Sequence, residues 1–135
     1  MKIVLTNGCF DGLHEGHRYL LEQAAALGDY LIVAVNNDRS VKDLKGHGRP
    51  LYPLSERMEM IEALTVADAV IPFDGNPEAL VVAIRCHVLV KGDDYREADV
   101  RGGFLMRQWG GKVHIIKRLA GISTTEITRA HRSVS

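Results

Sequence analysis

Short apolar runs alternate with segments of helical periodicity along most of this 135-residue chain. Five of the runs have the length of strands and are rich in Val, Ile and Leu. They occupy residues 2–6 (KIVLT), 30–36 (YLIVAVN), 67–72 (ADAVIP), 87–91 (HVLVK) and 112–117 (KVHIIK). Runs without strict polar and apolar alternation suit strands that are covered on both faces. The pattern therefore predicts an α/β fold with a five-stranded parallel sheet and helices on both faces.

The segments between these runs carry helix signals. Residues 17–27 place four apolar side chains at helical spacing before Gly28, which suits a helix end. Further helices are predicted at residues 55–64, 77–84 and 104–109, and a last one begins near Ser123. Residues 37–54 are rich in Lys, Gly and Pro and show no period, so we expect a long irregular connection there. Connections of this length are usually functional.

Size and composition narrow the class of protein. A mass of 14.9 kDa with 46% hydrophobic and 25% charged residues is typical of one globular domain, which we expect to span residues 1–135. The formal net charge is zero, which argues against a nucleic-acid partner, although residues 101–135 carry seven Lys or Arg and only Glu126 as an acid.

Cysteine use and hydropathy predict the environment of the chain. Cys9 and Cys86 lie far apart without the spacing of a metal or redox motif, and a small disulfide-bonded domain would normally have more cysteines. The chain shows no signal-peptide pattern and no apolar run of membrane-spanning length. We therefore expect a cytoplasmic protein with no membrane partner.

The first predicted strand runs into a glycine-rich turn, residues 7–17 (NGCFDGLHEGH), that leads directly into the first helix. In parallel α/β sheets ligands bind at this carboxyl edge, and the free N–H groups of a helix N-terminus attract anions. His14 and His17 are three residues apart, so both imidazoles can approach one group held above the helix.

The histidine pair has several interpretations on residue type alone. A single histidine at a helix start is often only a cap or a surface residue. Two histidines could bind a metal, but zinc would need a third ligand, and no second His or Cys cluster is evident. Contact with phosphate is the other interpretation, because histidine donates hydrogen bonds to negatively charged oxygens.

Two motifs resemble those of a known superfamily. Residues 8–17 (GCFDGLHEGH) resemble the G-x-F-D-x-x-H-x-G-H signature of the cytidylyltransferase-like nucleotidyltransferases. Residues 121–127 (GISTTEI) are similar to the G-I-S-T-T/S-x-I segment of the same group. The resemblance spans nearly the whole chain. It implies a Rossmann-like domain that joins a nucleoside triphosphate to a phosphorylated acceptor and releases pyrophosphate.

Further stretches narrow the resemblance. Residues 44–57 and 89–95 (LVKGDDY) resemble the adenylyltransferase domain that makes ADP-heptose from ATP and heptose 1-phosphate. That domain typically has K-G-G-D-Y, and the Gly-Asp-Asp form found here is also similar to glycerol-3-phosphate cytidylyltransferase. AMP transfer to a sugar phosphate is therefore the leading hypothesis, and CDP-glycerol synthesis from CTP is its alternative. A nucleotide-binding regulatory module without turnover is a third hypothesis, from another class.

The resemblance implies catalytic roles for four residues. His14 and His17 would donate hydrogen bonds to the triphosphate, Lys45 would close over the acceptor phosphate, and Arg118 would contact the β- and γ-phosphates. The acceptor phosphate is mostly dianionic at neutral pH, because its second pKa is about 6, so no general base is needed. Positioning and charge stabilisation then carry the reaction.

Binding residues, a metal and an oligomeric state follow from the same resemblance. The predicted nucleotide-binding residues are Cys9, Phe10, Gly16, Asp94, Gly121, Ile122, Ser123, Thr124 and Thr125. The predicted substrate-binding residues are Asp11, Lys42, Arg57 and Tyr95. Three of these residues also have an alternative structural role. Asp11 could brace a loop through hydrogen bonds, Arg57 could form an ion pair, and Ser123 could cap a helix. Mg²⁺ is expected as a cofactor held by the triphosphate and water, with no protein metal ligand, and the family implies a homodimer.

Overall fold

The computed structural model of the protein describes residues 1–118. Five parallel strands form one sheet, and four α-helices connect or flank them. The strands are β1 (Ile3–Gly8), β2 (Tyr30–Asn36), β3 (Ala69–Phe73), β4 (Val88–Gly92) and β5 (Lys112–Ile116). The helices are α1 (Glu15–Ala25), α2 (Asp38–Lys45), α3 (Leu54–Ala63) and α4 (Pro77–Ile84), with 3₁₀ turns at Glu97–Asp99 and Phe104–Trp109.

The strand order in the sheet is β3-β2-β1-β4-β5, so β1 is the central strand. The chain moves outward from β1 through β2 to β3, and then returns to the other side of β1 with β4. This reversal leaves a crevice between the carboxyl ends of β1 and β4, which is where parallel α/β sheets bind ligands. The two strands are joined there by the Thr6 hydroxyl, which donates to the Val90 carbonyl at 3.0 Å.

Helices cover both faces of the sheet, as the apolar runs predict. One face, here the α1 face, carries Val4, Val33 and Val90, which pack with Leu21 of α1 and Ile61 of α3. The opposite face, here the α4 face, carries Leu5, Ala34 and Leu89, which pack with Val81 of α4 and Met106. Neighbouring residues of a strand point to opposite faces, and both faces are covered here. The middle strands β1, β2 and β4 are therefore buried on both sides.

The expectation of an irregular connection at residues 37–54 is wrong for its first half. Residues Asp38–Lys45 form α2, which begins at Asn37, whose side chain accepts a hydrogen bond from the Ser40 N–H at 2.9 Å. Only Ser40 and Val41 of this helix are buried. The helix is only two turns long and buries a single large apolar side chain, so the stretch was too short for its period to be recognised. Lys45 therefore ends a helix, and Gly46, at φ 94°, begins the irregular remainder.

Two other expectations concern the end of the chain. Residues Phe104–Trp109 form a 3₁₀ segment where a short helix was predicted. The helix predicted near Ser123 lies outside the described residues. Among the described helices, none has the length and apolar character needed to cross a membrane.

Candidate functional site

His14 is the N-cap of α1 and ends the turn that follows β1. Its Nδ1 accepts a hydrogen bond from the Gly16 N–H at 2.9 Å, and its carbonyl accepts from the N–H groups of His17 and Arg18. An imidazole nitrogen that accepts a hydrogen bond carries no proton, so the neutral ring has its proton on Nε2. Burial lowers the pKa of His14 below 6.5, and nearby Glu15 offsets this only in part. At neutral pH His14 is therefore a neutral donor through Nε2.

The structure brings the two predicted histidines together. The ring centroids of His14 and His17 are 4.1 Å apart, with 37° between the ring planes. His17 is only 5% exposed, and the ring of Phe10 lies 5.5 Å from it. Phe10 adopts φ 50°, a left-handed conformation uncommon for a bulky residue, and it turns the chain from β1 toward α1. The turn therefore holds both imidazoles at the N-terminal end of α1.

Arg57, a predicted substrate-binding residue, makes the structural ion pair that was its alternative role. Its side chain is fully buried. Its nitrogens donate to the carbonyls of Tyr52 (2.8 Å), Cys9 (2.8 Å) and Asn36 (2.7 Å) and to the Asp38 carboxylate (2.7 Å). The guanidinium thereby joins the ends of β1 and β2 to the start of α2.

Asp11, also a predicted substrate-binding residue, braces the irregular segment that follows α2. The carboxylate is 1% exposed and accepts from the N–H groups of Leu51 (2.7 Å) and Tyr52 (2.9 Å) and from Arg49 Nε (2.9 Å). Both of its oxygens are used to tie the irregular segment 46–53 to the β1–α1 turn. This bracing role is the alternative that the sequence suggested for Asp11, because aspartate commonly stabilises loops through hydrogen bonds to backbone N–H groups.

An open groove of about 460 Å³ lies between α2 and the irregular segment. Its lining residues are Asp38, Arg39, Lys42, Asp43, Arg49 and Pro50. Lys42 is thus placed in a groove, whereas Lys45 is exposed near the end of the same helix. The Nη2 atom of Arg49 is buried and has no hydrogen-bond partner among residues 1–118. Because Arg49 is held by Asp11, the groove adjoins the turn that carries the histidine pair.

The carboxyl end of β4 forms the other side of the crevice. Lys91 donates from Nζ to the Asn7 carbonyl at 2.9 Å, and its ammonium lies 5.0 Å from the centre of the Tyr95 ring. Burial lowers the pKa of Lys91 to about 8, against a smaller opposing effect of the Asp94 carboxylate. Burial and the Asp94 charge both raise the pKa of Tyr95. The structure therefore groups the predicted residues Asp94 and Tyr95 around a lysine that the sequence reasoning did not assign to the site.

Arg118 lies just after β5 and is held by the end of β4. Its backbone N–H and its Nε donate to the two carboxylate oxygens of Asp93, at 3.1 and 3.0 Å. Burial alone would raise the pKa of Asp93, but the hydrogen bonds and charge of Arg118 outweigh it and lower the pKa. The predicted residues Gly121, Ile122, Ser123, Thr124 and Thr125 follow closely in sequence but lie outside the described residues.

Sequence reasoning missed three residues that the structure places at this edge. They are Asn7, Arg49 and Lys91. For Asn7 and Lys91 a signal was present, because Asn7 directly follows one predicted strand and Lys91 ends another, both on the ligand side of the sheet. For Arg49 no local signal was available, because its position depends on contact with Asp11, 38 residues earlier.

The sequence matches the model of the cytidylyltransferase-like family over residues 5–130. It is 52% identical over 134 residues to the bifunctional protein HldE of Methylococcus capsulatus, which covers 98% of this chain and 28% of that protein. It is 48% identical over 130 residues to the HldE of Vibrio cholerae, covering 96% of this chain and 27% of that protein. The chain therefore spans little more than a quarter of the length of these relatives.

A solved structure resembles the fold over nearly the whole of both chains. The lipopolysaccharide core biosynthesis protein from Thermoplasma volcanium aligns with a TM-score of 0.72 and 27% sequence identity, over 88% of this chain and 97% of that one. Because the family model covers most of the chain, and relatives about half identical to it cover nearly all of it, the chain belongs to the cytidylyltransferase-like family.

Proposed function

We propose that the protein is a nucleotidyltransferase that transfers AMP from ATP to a sugar 1-phosphate of the heptose type, giving ADP-heptose and pyrophosphate. The observation that carries the proposal is the His14 and His17 pair, with ring centroids 4.1 Å apart at the N-terminus of α1, in a chain of this family. The stretch LVKGDDY at residues 89–95, which resembles the ADP-heptose-forming domain, supports adenylyl transfer. The similarity to a lipopolysaccharide core biosynthesis protein supports a sugar acceptor.

The histidine pair supplies hydrogen-bond donors to the triphosphate. With Nδ1 of His14 accepting from Gly16, the neutral ring carries its proton on Nε2, from which it would donate to a phosphate oxygen. The N–H groups and positive end of α1 attract the same anion. In the transition state, negative charge spreads over the phosphate oxygens, and fixed donors stabilise it without taking up a proton. The dianionic acceptor attacks without a general base.

Basic residues of the groove and of the β5 end provide further charge. Lys42, Arg39 and Arg49 line the groove, while Asp38 beside them is already paired with Arg57. In keeping with the family resemblance, we assign Lys42 and Lys45 to contacts with the acceptor phosphate and the α-phosphate of the nucleotide. We assign Arg118 to the β- and γ-phosphates, which leave as pyrophosphate. The Asp93 carboxylate fixes the Arg118 backbone and Nε, which orients the rest of its guanidinium.

Magnesium is inferred as a companion of the triphosphate. Within residues 1–118, no cluster of three or more His, Cys, Asp or Glu side chains is arranged to hold a metal ion. Asp11 and Asp93 also have their carboxylates committed to other groups. We propose Mg²⁺ held by phosphate oxygens and water, because its small, strongly hydrated ion prefers that arrangement. The ion would neutralise part of the triphosphate charge.

The alternative reaction, cytidylyl transfer to glycerol 3-phosphate, is favoured by one observation. The Gly92-Asp93-Asp94 form of the β4 end places the Asp93 carboxylate on Arg118, a pairing that a K-G-G-D-Y sequence would lack at that position. Choice between the two reactions depends on the base and on the acceptor, and both can be varied independently in an assay.

The test of the function is release of pyrophosphate with each pair of substrates. The protein is incubated with ATP or CTP and with heptose 1-phosphate or glycerol 3-phosphate, with magnesium present. We expect turnover with ATP and heptose 1-phosphate, and turnover only with CTP and glycerol 3-phosphate would establish the alternative. Absence of pyrophosphate above background in all four mixtures, with nucleotide binding retained, would indicate a regulatory module instead.

A homodimer in the cytoplasm is also proposed, from the family resemblance. Three large apolar side chains within residues 44–52 are exposed, namely Leu44 (65%), Leu51 (56%) and Tyr52 (39%), and they would contribute to an interface. Sedimentation velocity on the purified protein measures this directly, and a single species of about 15 kDa at all concentrations would contradict it.

A further inference from the structure

Lys91 is a partly buried cation at the crevice between β1 and β4. Its Nζ donates to the Asn7 carbonyl of β1, and the ring of Tyr95 covers it at 5.0 Å. The titratable groups that face it are Asp94 and Tyr95, from the segment after β4, and the thiol of Cys9, from the turn after β1. Asp93 of the same segment is engaged by Arg118. Removing a lysine from water is costly, so a structural role alone gives the cation little reason to be there.

Strand alternation places the Lys91 side chain on the α4 face of the sheet. Leu89 packs on the α4 face and Val90 on the α1 face, so Lys91 leaves β4 toward the α4 face. The same reasoning applies to β1, where Leu5 packs on the α4 face and Asn7 follows two residues later. The histidine pair belongs to α1, on the opposite face. The lysine and the histidines therefore flank the crevice from two sides.

Asn7 adds an unsatisfied acceptor beside Lys91. The residue is 6% exposed, and its side-chain Oδ1 is buried with no hydrogen-bond partner in the described part of the chain. A buried amide oxygen without a partner costs free energy, and a donor from a ligand would remove that cost. Sugar and glycerol hydroxyls are donors of this kind. The lysine and the asparagine together suit a ligand with both an anionic group and hydroxyl groups.

Phosphoryl transfer requires binding groups on two opposite sides of the reacting phosphorus. The attacking oxygen and the leaving oxygen lie roughly in line on opposite sides of the reacting phosphorus. If the His14 and His17 side of the crevice holds the triphosphate, whose pyrophosphate leaves, the attacking phosphate must approach from the other side. That other side is the α4 face, where Lys91 and Asn7 lie.

We propose that Lys91 and Asn7 form the acceptor subsite, with the Lys91 ammonium binding the phosphate monoester of a polyol and Asn7 Oδ1 accepting a hydrogen bond from one of its hydroxyls. The proposal rests on the proposed function and specifies its second substrate site. An oxygen of the acceptor phosphate forms a bond to the α-phosphorus of the nucleotide. The bond from that phosphorus to the bridging oxygen of the β-phosphate breaks, and pyrophosphate leaves with the electron pair. Lys91 keeps its proton throughout.

The kinetic test separates the two substrates. Lys91→Met should raise the KM for heptose 1-phosphate at least about tenfold, because a charge-assisted hydrogen bond to phosphate is lost, while the Kd for ATP changes less than about twofold. Lys91→Arg should restore part of the acceptor KM. Asn7→Ala should raise the acceptor KM by a smaller factor. Lys112→Met is the matched control, since Lys112 is exposed at the amino end of β5. An unchanged acceptor KM, or an equal weakening of ATP binding, would overturn the assignment.

A second test does not depend on turnover. In protein labelled with ¹³C at the lysine side chains, the Lys91 signal is identified by its absence from the Lys91→Met spectrum and titrated with pH. A bound phosphate favours the charged ammonium, so saturating heptose 1-phosphate or inorganic phosphate should raise the Lys91 pKa above its value of about 8 in the free protein. A pKa that neither ligand moves would refute the subsite. Failure of pyrophosphate release in the wild-type protein contradicts the proposed function alone, because this titration measures binding.

Discussion

His14 combines two tasks that are usually assigned to different residues. Through Nδ1 it caps α1, and through the opposite nitrogen it can donate to a ligand. The cap therefore has a chemical consequence, since it selects the tautomer with the proton on Nε2. Orientation and protonation state both follow from a single backbone hydrogen bond.

Replacing His14 by Asn separates the two tasks. Asparagine is a strong N-cap residue and can accept from the Gly16 N–H, but it lacks a donor at the Nε2 position. We expect His14→Asn to unfold in urea within about 1 kcal/mol of the wild-type protein while kcat falls at least about a hundredfold. His14→Ala should lose both properties. Equal kcat values for His14→Asn and the wild-type protein would show that His14 is only a cap.

Arg57 illustrates how a charged residue can be structural. Arg57→Met leaves the carbonyls of Cys9 and Asn36 buried without their donor, and each such loss costs about 1–3 kcal/mol. We expect the free energy of unfolding to fall by about 3 kcal/mol or more. The exposed Arg18, which makes only surface ion pairs, is the control, and Arg18→Met should cost less than about 1 kcal/mol. Equal unfolding midpoints for the two variants would contradict this account.

The sequence was informative about residue types and less so about residue roles. His14 and His17 could be singled out because their spacing on one helix is a local property, and the structure brings their rings together. Arg57 and Asp11 were assigned to substrate, whereas their hydrogen bonds in the structure are to other parts of the chain. The Cys9 and Asn36 carbonyls lie 48 and 21 residues from Arg57. The donors to Asp11 lie 38 to 41 residues from it. Partners at such separation depend on the tertiary fold, which residue type alone does not report.

At the scale of elements, the irregular segment 46–53 is positioned by its contact with Asp11. Three hydrogen bonds from Arg49, Leu51 and Tyr52 converge on this one carboxylate. The segment carries no regular hydrogen bonding of its own, so Asp11 sets where the groove with Lys42 lies relative to the histidines. The α2 helix was not predicted for a related reason, because its placement depends on a cap at Asn37 and one buried valine.

Asp11→Asn tests the brace. The amide can accept on one side only, so an N–H donor of the segment would face an NH₂ group in the variant. We expect the free energy of unfolding to fall by about 3 kcal/mol, and hydrogen exchange at Leu51 and Tyr52 to accelerate more than exchange in β1. Asp99→Asn, at an exposed ion pair with Arg96, is the matched control. Unchanged exchange at Leu51 and Tyr52 would mean that the segment is held by other contacts.

At the scale of the whole molecule, the order and coverage of the sheet follow from patterns that the sequence displays. The five apolar runs correspond to the five strands within a few residues at each end, and the two covered faces explain why the runs do not alternate. The strand order could not be derived from the runs themselves, since it depends on which side of β1 the fourth strand returns to. That choice creates the crevice where Lys91 lies.

The position of Lys91 predicts a pH-dependent stability. In the folded protein its pKa is about 8, against 10.5 for an ordinary lysine, so between these pH values the unfolded chain binds more protons. The cost of burying the charge is present in full below pH 8 and is relieved as the pH rises toward 10.5. Lys91→Met should therefore be more stable than the wild-type protein at pH 7 by about 2 kcal/mol, after allowing for the lost Asn7 hydrogen bond.

Urea unfolding of both proteins across this pH range measures the difference directly. The advantage of Lys91→Met should shrink as the pH rises from 8 to 10.5, because only the wild-type protein gains stability there from this group. A constant difference across that range, or a variant less stable at pH 7, would contradict the inferred cost of Lys91. A stabilised but impaired variant would show that the lysine is retained for activity at the expense of stability.

Three side-chain hydrogen bonds between β1 and the β4 segment determine when the crevice can form during synthesis of the chain. They join Ile3 to His87, Thr6 to Val90 and Asn7 to Lys91, and in each pair the partners are separated by 84 residues. A growing chain therefore cannot assemble both sides of the crevice until β4 has left the ribosome, because the β4 residues follow their β1 partners by 84 residues. Affinity for substrates arises late, as a property of the closed sheet, and such long-range pairing is expected to form slowly. A ligand that binds across the crevice would therefore stabilise only those chains in which β1 and β4 are already paired.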